Sequence, residues 1–333
     1  ASIRGNFSLA VRNEFGLWAR ADRSSIGESV RISTRGTGTK LRAIGFGNGD
    51  DTSVVVDHQT LRVPLDAKGR CSVQLELSFE GAVAFLVAEM EERGARQVLP
   101  VCTMPILSSK GLGNQDESIA ECRNYVDVLL QHANEVQARQ CRPFILPSSS
   151  KQELLAAEAP GRLGIAGKVW DAALATVRWL SVGDRAVRWI SGKRILEVGS
   201  GTGALGLYLA AAFPVREVVI TDLPDSIPLM EANVALNRLS RCLSRGAARS
   251  LRCRSLPWGD EDAARAVAEE MGGTEKIDLI IASDCVYEPE GYEPLVSTLC
   301  NLCHHGGAEV FIAYRYRNPE SYRFFDMLRA EFD

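Results

Sequence analysis

This 333-residue chain has no apolar run near the ~18 residues that cross a bilayer, so no membrane-spanning helix is expected. Its first residues, Ala1-Ser2-Ile3-Arg4-Gly5-Asn6, carry no apolar signal region, and with Ala1 in place of Met an upstream targeting peptide stays open. There is no basic tract either. Residues 1–150 hold 17 Lys and Arg against 17 Asp and Glu, the remainder 21 against 25, for a net charge of -4. That balance argues against a protein that holds nucleic acid mainly by phosphate contacts. Nine cysteines, an odd number at irregular spacing, do not form a disulfide framework, so a reducing compartment is expected, cytoplasmic with the nucleus as an alternative. Internal repeats and low-complexity segments are missing. What is there is ordinary for a soluble globular protein, 46% hydrophobic and 24% charged residues, at a length that suggests about two domains.

The first half reads as a small α+β region over residues 1–150, with substrate recognition its expected role. Val30–Thr34 and Ser72–Leu77 alternate apolar and polar with period two, Val54-Val55-Val56 is β-branched, and Gly45–Asp50 is turn chemistry. Ala82 to Glu92 is expected to be helical, as is Glu117 to about Arg139, and Arg142–Ser150, with two prolines and a serine run, is the expected linker. From residue 151 to 333 apolar strands alternate with helices: strands at Arg194–Val198, Glu217–Thr221, near Leu251–Cys253, Ile277–Ser283 and Glu309–Tyr314, helices at Lys168–Leu180, Ala204–Ala212, Ser226–Asn237, Glu261–Met271, Tyr292–Cys303 and Glu320–Glu331. This pattern implies an α/β fold with a parallel sheet covered on both faces, whose ligands bind at the carboxyl ends of the strands.

Glu197-Val198-Gly199-Ser200-Gly201-Thr202-Gly203 lies at such an end. Gly199, Gly201 and Gly203 let the backbone turn sharply and come close to a ligand, with the free amides of a helix start facing it. Asp222 ends the next strand, placed to accept hydrogen bonds from a ribose diol. The same residues fit a dinucleotide fingerprint. Glu197 weighs against it: it is poorly placed beside a pyrophosphate but suits the cationic methionine end of S-adenosylmethionine. No second nucleotide-binding half follows, so the methyl donor is favoured over NAD, and both over a ligand-free turn.

The fourth strand runs into Ser283-Asp284-Cys285-Val286-Tyr287. A carboxylate and a phenol three residues apart suit a lysine ammonium by charge pairing and cation–π contact. Asp284 is no simple base, since an adjacent anion raises the lysine pKa above its usual ~10.4. The alternative is an Asp capping the following helix beside a packing Tyr. Trp170 and Trp258 are further candidates, the latter placed to contact an adenine ring, although a lone Trp is more often core.

Together these residues resemble the seven-β-strand protein lysine methyltransferases (methyltransferase family 16). The matching features are Val169-Trp170-Asp171-Ala172-Ala173, the Glu197–Gly203 loop, Thr221-Asp222 with Asn233 and Asn237, Pro257-Trp258-Gly259, Asp284-Cys285-Val286-Tyr287 and Ala313-Tyr314-Arg315, over about residues 160–330. Arg317-Asn318-Pro319-Glu320 and the long leader look most like the branch acting on elongation factor 2. The resemblance implies a Rossmann-like methyltransferase sheet using S-adenosylmethionine, with Asp284 and Tyr287 lining a lysine channel and Trp170, Glu197, Gly199, Gly201, Gly203, Asp222, Trp258 and Ser283 at the cofactor. It implies a protein substrate such as a translation factor, chaperone or AAA ATPase, and an enzyme expected to be monomeric. It also implies a final hairpin after the last helix, which a sequence ending at Phe332-Asp333 is expected to lack.

Other signals are set aside. Cys300-x-x-Cys303-His304 reads as helix-end packing, since no second ligand pair is visible, and Cys285 as small packing. His58 and His132 have no partner group at recognisable spacing. A nucleic-acid or small-molecule methyltransferase ranks lower, because Cys285-Val286 stands where base-methylating enzymes of this fold place two prolines. A non-catalytic scaffold would have no use for the intact loop and the Asp284/Tyr287 pair.

Overall fold

In the computed structural model the chain divides into two compact units, residues 1–117 with 140–143, and residues 118–139 with 144–333. The structure describes residues 149–332 apart from 183, 240–241, 244 and 304–306, and before them the segments 2–10, 29–36, 40–46, 56–57, 60–65, 70–79, 83–90, 101–103, 106–107 and 140–146.

The second unit holds five parallel strands, β1 (Arg194–Val198), β2 (Glu217–Asp222), β3 (Leu251–Ser255), β4 (Leu279–Ser283) and β5 (Glu309–Ala313), in the order β3-β2-β1-β4-β5. Successive residues of a strand point to opposite faces, so a sheet buried on both sides needs an unbroken apolar run. Ile195, Val218, Ile220, Leu279 and Ile281 enter one core, with Leu207 and Met230. Leu196, Val198, Val219, Ile280 and Ala282 enter the other, with Leu295, Leu299 and Phe324. The helices are α1 (Asp171–Leu180), α2 (Asp184–Ile190), α3 (Ala204–Ala212), α4 (Ile227–Leu239), α5 (Glu261–Glu270), α6 (Tyr292–Cys303) and α7 (Ser321–Glu331), with short turns of helix at Pro160–Leu163 and Arg245–Arg249. The strand order reverses between β1 and β4, so their carboxyl ends part and leave a crevice.

In the first unit, the period-two reading holds over Ser72–Leu77, whereas in Val30–Thr34 it fails at Ser33, which is buried between Ile32 and Thr34. Val73, Leu75 and Leu77 are buried while Ser72 and Gln74 are exposed, and they share a core with Val30, Ile32, Leu61 and Val63. Two further expectations fail. The stretch expected to be helical from Ala82 to Glu92 is a strand, Val83–Met90, paired with Ser29–Gly36. A short apolar run has no decisive period, and its Val and Phe content suits a pleated, half-buried surface. The expected linker Arg142–Ser150 falls in two hydrogen-bonded strands, Gln140–Leu146 and Ser149–Glu158. The helix expected over Glu117–Arg139, with His58 and His132, lies outside the described residues.

Ser149–Glu158 is held by side chains of α4. Asn237 accepts the Leu155 amide at 2.8 Å and donates to Leu155 O at 2.6 Å. Asn233 accepts the Ala157 amide at 2.7 Å and donates to Ala157 O at 3.1 Å. Both asparagines are fully buried. One helical turn apart, they meet alternate residues of a strand and complete its backbone bonds as a neighbouring strand would.

Candidate active site

The glycine turn after β1 is shaped by hydrogen bonds to β2. Ser200 donates its amide to Thr221 O at 2.8 Å, and Gly201 donates its amide to Asp222 Oδ2 at 2.7 Å. Asp222 Oδ1 also accepts from the Leu223 amide at 2.7 Å and the Ser226 hydroxyl at 2.9 Å. A carboxylate has about four acceptor positions, so capacity remains toward the cavity that Asp222 lines. The turn sits close against its neighbours. Gly199 has φ +68°, and a Cβ there would lie 2.7 Å from Cys285 Sγ and 2.8 Å from Trp258 Cζ2.

The cavity has a volume of about 360 Å³, within the usual range for a small-molecule site. On its wall the fold brings together Trp170, Glu197, Gly199, Gly201, Asp222, Trp258, Ser283, Asp284 and Tyr287, from five separate stretches of sequence. Gly203, expected at the cofactor, is not on the wall. It starts α3 in the left-handed conformation, φ +74°, and a Cβ would meet Ile220 Cδ1 at 2.8 Å, so its constraint comes from packing against β2. Ile165, Ala166 and Lys168 line the cavity without having been singled out.

Glu197 is buried, with the Gly206 amide of α3 donating to its Oε2 at 2.9 Å. Burial pushes its carboxyl up to about 8, and the charge of Asp222 adds to the rise against the hydrogen bonds of Gly206 and Ser200. At neutral pH it is mostly a neutral acid, ready to ionise beside a cation. Burial raises the Tyr287 phenol and the Cys285 thiol, so both stay protonated. The Cys285 thiol donates to Val198 O at 3.3 Å, the packing role expected of it. Ser283 Oγ is buried on the cavity side of β4 with no hydrogen-bond partner among the described residues.

Asp284 has φ +57°, a left-handed backbone in a non-glycine residue, the kind of strain that gathers at functional sites. Its amide donates to Ala313 O at 2.7 Å. Its Oδ2 accepts the Ala172 amide at 2.7 Å, in the first turn of α1, and its Oδ1 accepts the Arg315 amide at 3.3 Å and Nη1 of Arg317. It therefore caps a helix, but α1, which precedes it in the chain, rather than the one that follows. Trp170, just before α1, donates Nε1 to Ile165 O at 2.8 Å, with Lys168 Nζ 5.2 Å and Arg317 Cζ 5.4 Å from its ring. Sequence reasoning missed the side-chain roles of Arg315 and Arg317; the available signal was two arginines at a strand's carboxyl end with no acid beside them in sequence. Cys300 and Cys303 pack at the end of α6, their thiols raised by burial, Cys303 to about 11.

Residues 148–331 match the model of a family described as lysine methyltransferase. The protein N-lysine methyltransferase METTL21A of Danio rerio is 33% identical over 171 residues, covering 51% of this chain and 70% of that protein. The protein-lysine N-methyltransferase EFM6 of Saccharomyces cerevisiae is 30% identical over 190 residues, 53% of this chain and 74% of the relative. The human protein-lysine N-methyltransferase EEF2KMT is also 30% identical over 190 residues, 55% of this chain and 56% of the relative. The three identities are too close to set one branch apart.

Proposed function

The chain belongs to the lysine methyltransferase family, and from that premise we propose that its second unit binds S-adenosylmethionine in the cavity above β1, β2 and β4 and methylates a lysine of another protein. The observation that carries this reading is the gathering of a glycine turn, three carboxyl groups, two indoles and a phenol on one cavity wall.

The residues present fit the donor. Asp222 keeps acceptor capacity for ribose hydroxyls, and Trp258, against Gly199, offers a flat apolar surface for adenine. Glu197 supplies a carboxyl that a methionine ammonium would draw into its charged form. Ser283 brings a buried hydroxyl without a partner. When bound, S-adenosylmethionine supplies a methyl group on a sulfonium, open to attack by an amine.

For the acceptor, Asp284 and Tyr287 form the part of the wall suited to a lysine side chain, a carboxylate with a phenol ring three residues on. Their contribution is to bring the amine into line, and positioning alone supplies several kcal/mol of a barrier. Tyr287 stays a neutral phenol able to donate or accept a hydrogen bond. The acceptor we infer is a folded protein such as a translation factor, chaperone or AAA ATPase, recognised in part by residues 1–150, with the enzyme acting as a cytoplasmic monomer.

Two measurements test the reading. Calorimetry should show S-adenosylmethionine binding that Asp222→Ala weakens at least about tenfold, the worth of one charge-assisted hydrogen bond. Tritiated donor incubated with cell lysate should label a protein band, and Asp284→Asn should abolish the label. Label confined to RNA would reverse the choice of acceptor.

A further inference from the structure

Arg317 has no part in that reading, yet it touches the centre of it. It lies between β5 and α7, and its Nη1 donates to Asp284 Oδ1. Asp284 and Trp170 both line the cavity, while Arg317 does not. The carboxylate thus stands between a guanidinium on one side and the space open to an acceptor amine on the other. The arginine is held there by the Trp170 ring, 5.4 Å from its Cζ, and by Asp171, 3.8 Å from its Nη2. Its Nε and Nη2 are buried without a hydrogen-bond acceptor among the described residues, an arrangement that folding alone does not favour.

We propose that Arg317 is a positioning residue for methyl transfer, acting through Asp284: it offsets the carboxylate's charge, so that Asp284 orients an acceptor lysine without holding it as an ammonium. The inference rests on the reading of Asp284 as the acceptor's contact.

The chemistry sets the need. A lysine attacks through its lone pair. The N–C bond forms as the S–CH₃ bond breaks, with the electron pair leaving on sulfur, and the ammonium must first lose a proton to water. A lone carboxylate at contact distance binds the ammonium and raises its pKa, which opposes that loss. A carboxylate already paired to a guanidinium keeps its hydrogen-bonding oxygens and loses most of its field. The other charged groups around the cavity do not do this. Asp171 is itself paired with Arg315, Glu197 and Asp222 are carboxyls that the proposed function gives to the donor, and Lys168 Nζ lies 5.2 Å from the Trp170 ring. Among the described residues, Arg317 is the cationic side chain in contact with Asp284.

The test follows the initial rate of tritium incorporation into the labelled lysate band, with lysate in excess, from about pH 7 to 11, a range that reaches past a lysine's usual ~10.4. In Arg317→Met the acid limb of the profile should move up by about one pH unit or more, tenfold in rate at a fixed pH on that limb, with the rates converging at the alkaline end. Arg317→Lys should move the limb back, and calorimetric donor affinity should be unchanged in both variants. A uniform loss at every pH with the limb in place, or an unaltered profile, would overturn the proposal. Label that survives Asp284→Asn would instead remove the acceptor reading beneath it.

Discussion

Ala172 donates its amide to Asp284 Oδ2 at 2.7 Å across 112 residues of sequence, so a carboxylate that lines the cavity also caps the helix beginning beside Trp170. One side chain therefore ties the loop after β4 to the start of α1, and the strained backbone of Asp284 is the geometry that lets it reach.

Substitutions there should separate chemistry from stability. Asn tolerates a left-handed backbone and keeps an oxygen for the Ala172 amide, so Asp284→Asn is expected to lose methyl transfer while losing little more than the ion pair to Arg317. Asp284→Ala removes cap and ion pair and places a Cβ residue without a local hydrogen bond at φ +57°. It should cost about 1–3 kcal/mol more than Asp284→Asn, the worth of the cap and of the left-handed backbone together. Chemical denaturation of the two variants checks this, and equal costs would show that the cap contributes nothing.

The pH dependence of stability has a named source in Glu197. Its carboxyl is raised from 4.5 to about 8 in the folded chain. Between those values the folded chain holds a proton that the unfolded chain has released. Stability without ligand is therefore full below 4.5 and declines as pH rises to about 8, by up to about 1.4 kcal/mol per pH unit. Glu197→Gln keeps an acceptor for the Gly206 amide and should flatten that slope in denaturation curves. Donor binding should release a proton, so its calorimetric heat should vary with the ionisation heat of the buffer; a heat that is the same in all buffers would contradict the ionisation of Glu197 beside the donor.

At Gly199 the prediction is steric. A Cβ would enter the contact with Trp258 and Cys285 at 2.7–2.8 Å, on a backbone at φ +68°. Gly199→Ala should displace the indole and weaken donor binding at least about tenfold, at a cost in stability of about 1–2 kcal/mol. Cys285→Ala in the same chain frees one of the two clashing atoms, so recovery of part of the affinity in the double variant is the checking measurement.

Much of this site was legible because each strand of a sheet buried on both faces must be a continuous apolar run, and its carboxyl end then marks where chemistry-bearing residues gather. Glu197, Asp222 and Asp284 were found that way. What escaped depends on distant partners. Arg142–Ser150 reads locally as a linker, yet its end opens the strand Ser149–Glu158, whose backbone is completed by asparagines 76 and 82 residues further on. Arg317 stands in a motif that says nothing of Asp284, and it reaches that carboxylate only because β5 lies beside β4. Val83–Met90 shows the remaining ambiguity, a short apolar run whose form is decided by the strands that flank it.

The asparagine pair gives the last prediction. Asn233 serves the amide and carbonyl of Ala157 and donates to Thr202 O at 2.8 Å, behind the glycine turn. Asn233→Ala leaves three backbone groups, all buried, without that partner, at about 1–3 kcal/mol for each left unsatisfied; water entering the space lowers the total to about 2–4 kcal/mol. Asn237→Ala lacks the link to Thr202 and should be milder at the site. Hydrogen exchange separates the two: Ala157 and the turn at Ser200–Gly203 should lose protection together in Asn233→Ala, while Asn237→Ala should expose Leu155 and leave the turn protected. Donor affinity should fall with the first variant and hold with the second, since the turn and not the strand forms the cavity wall. Equal losses in both would mean that the strand, rather than the bond to Thr202, carries the support.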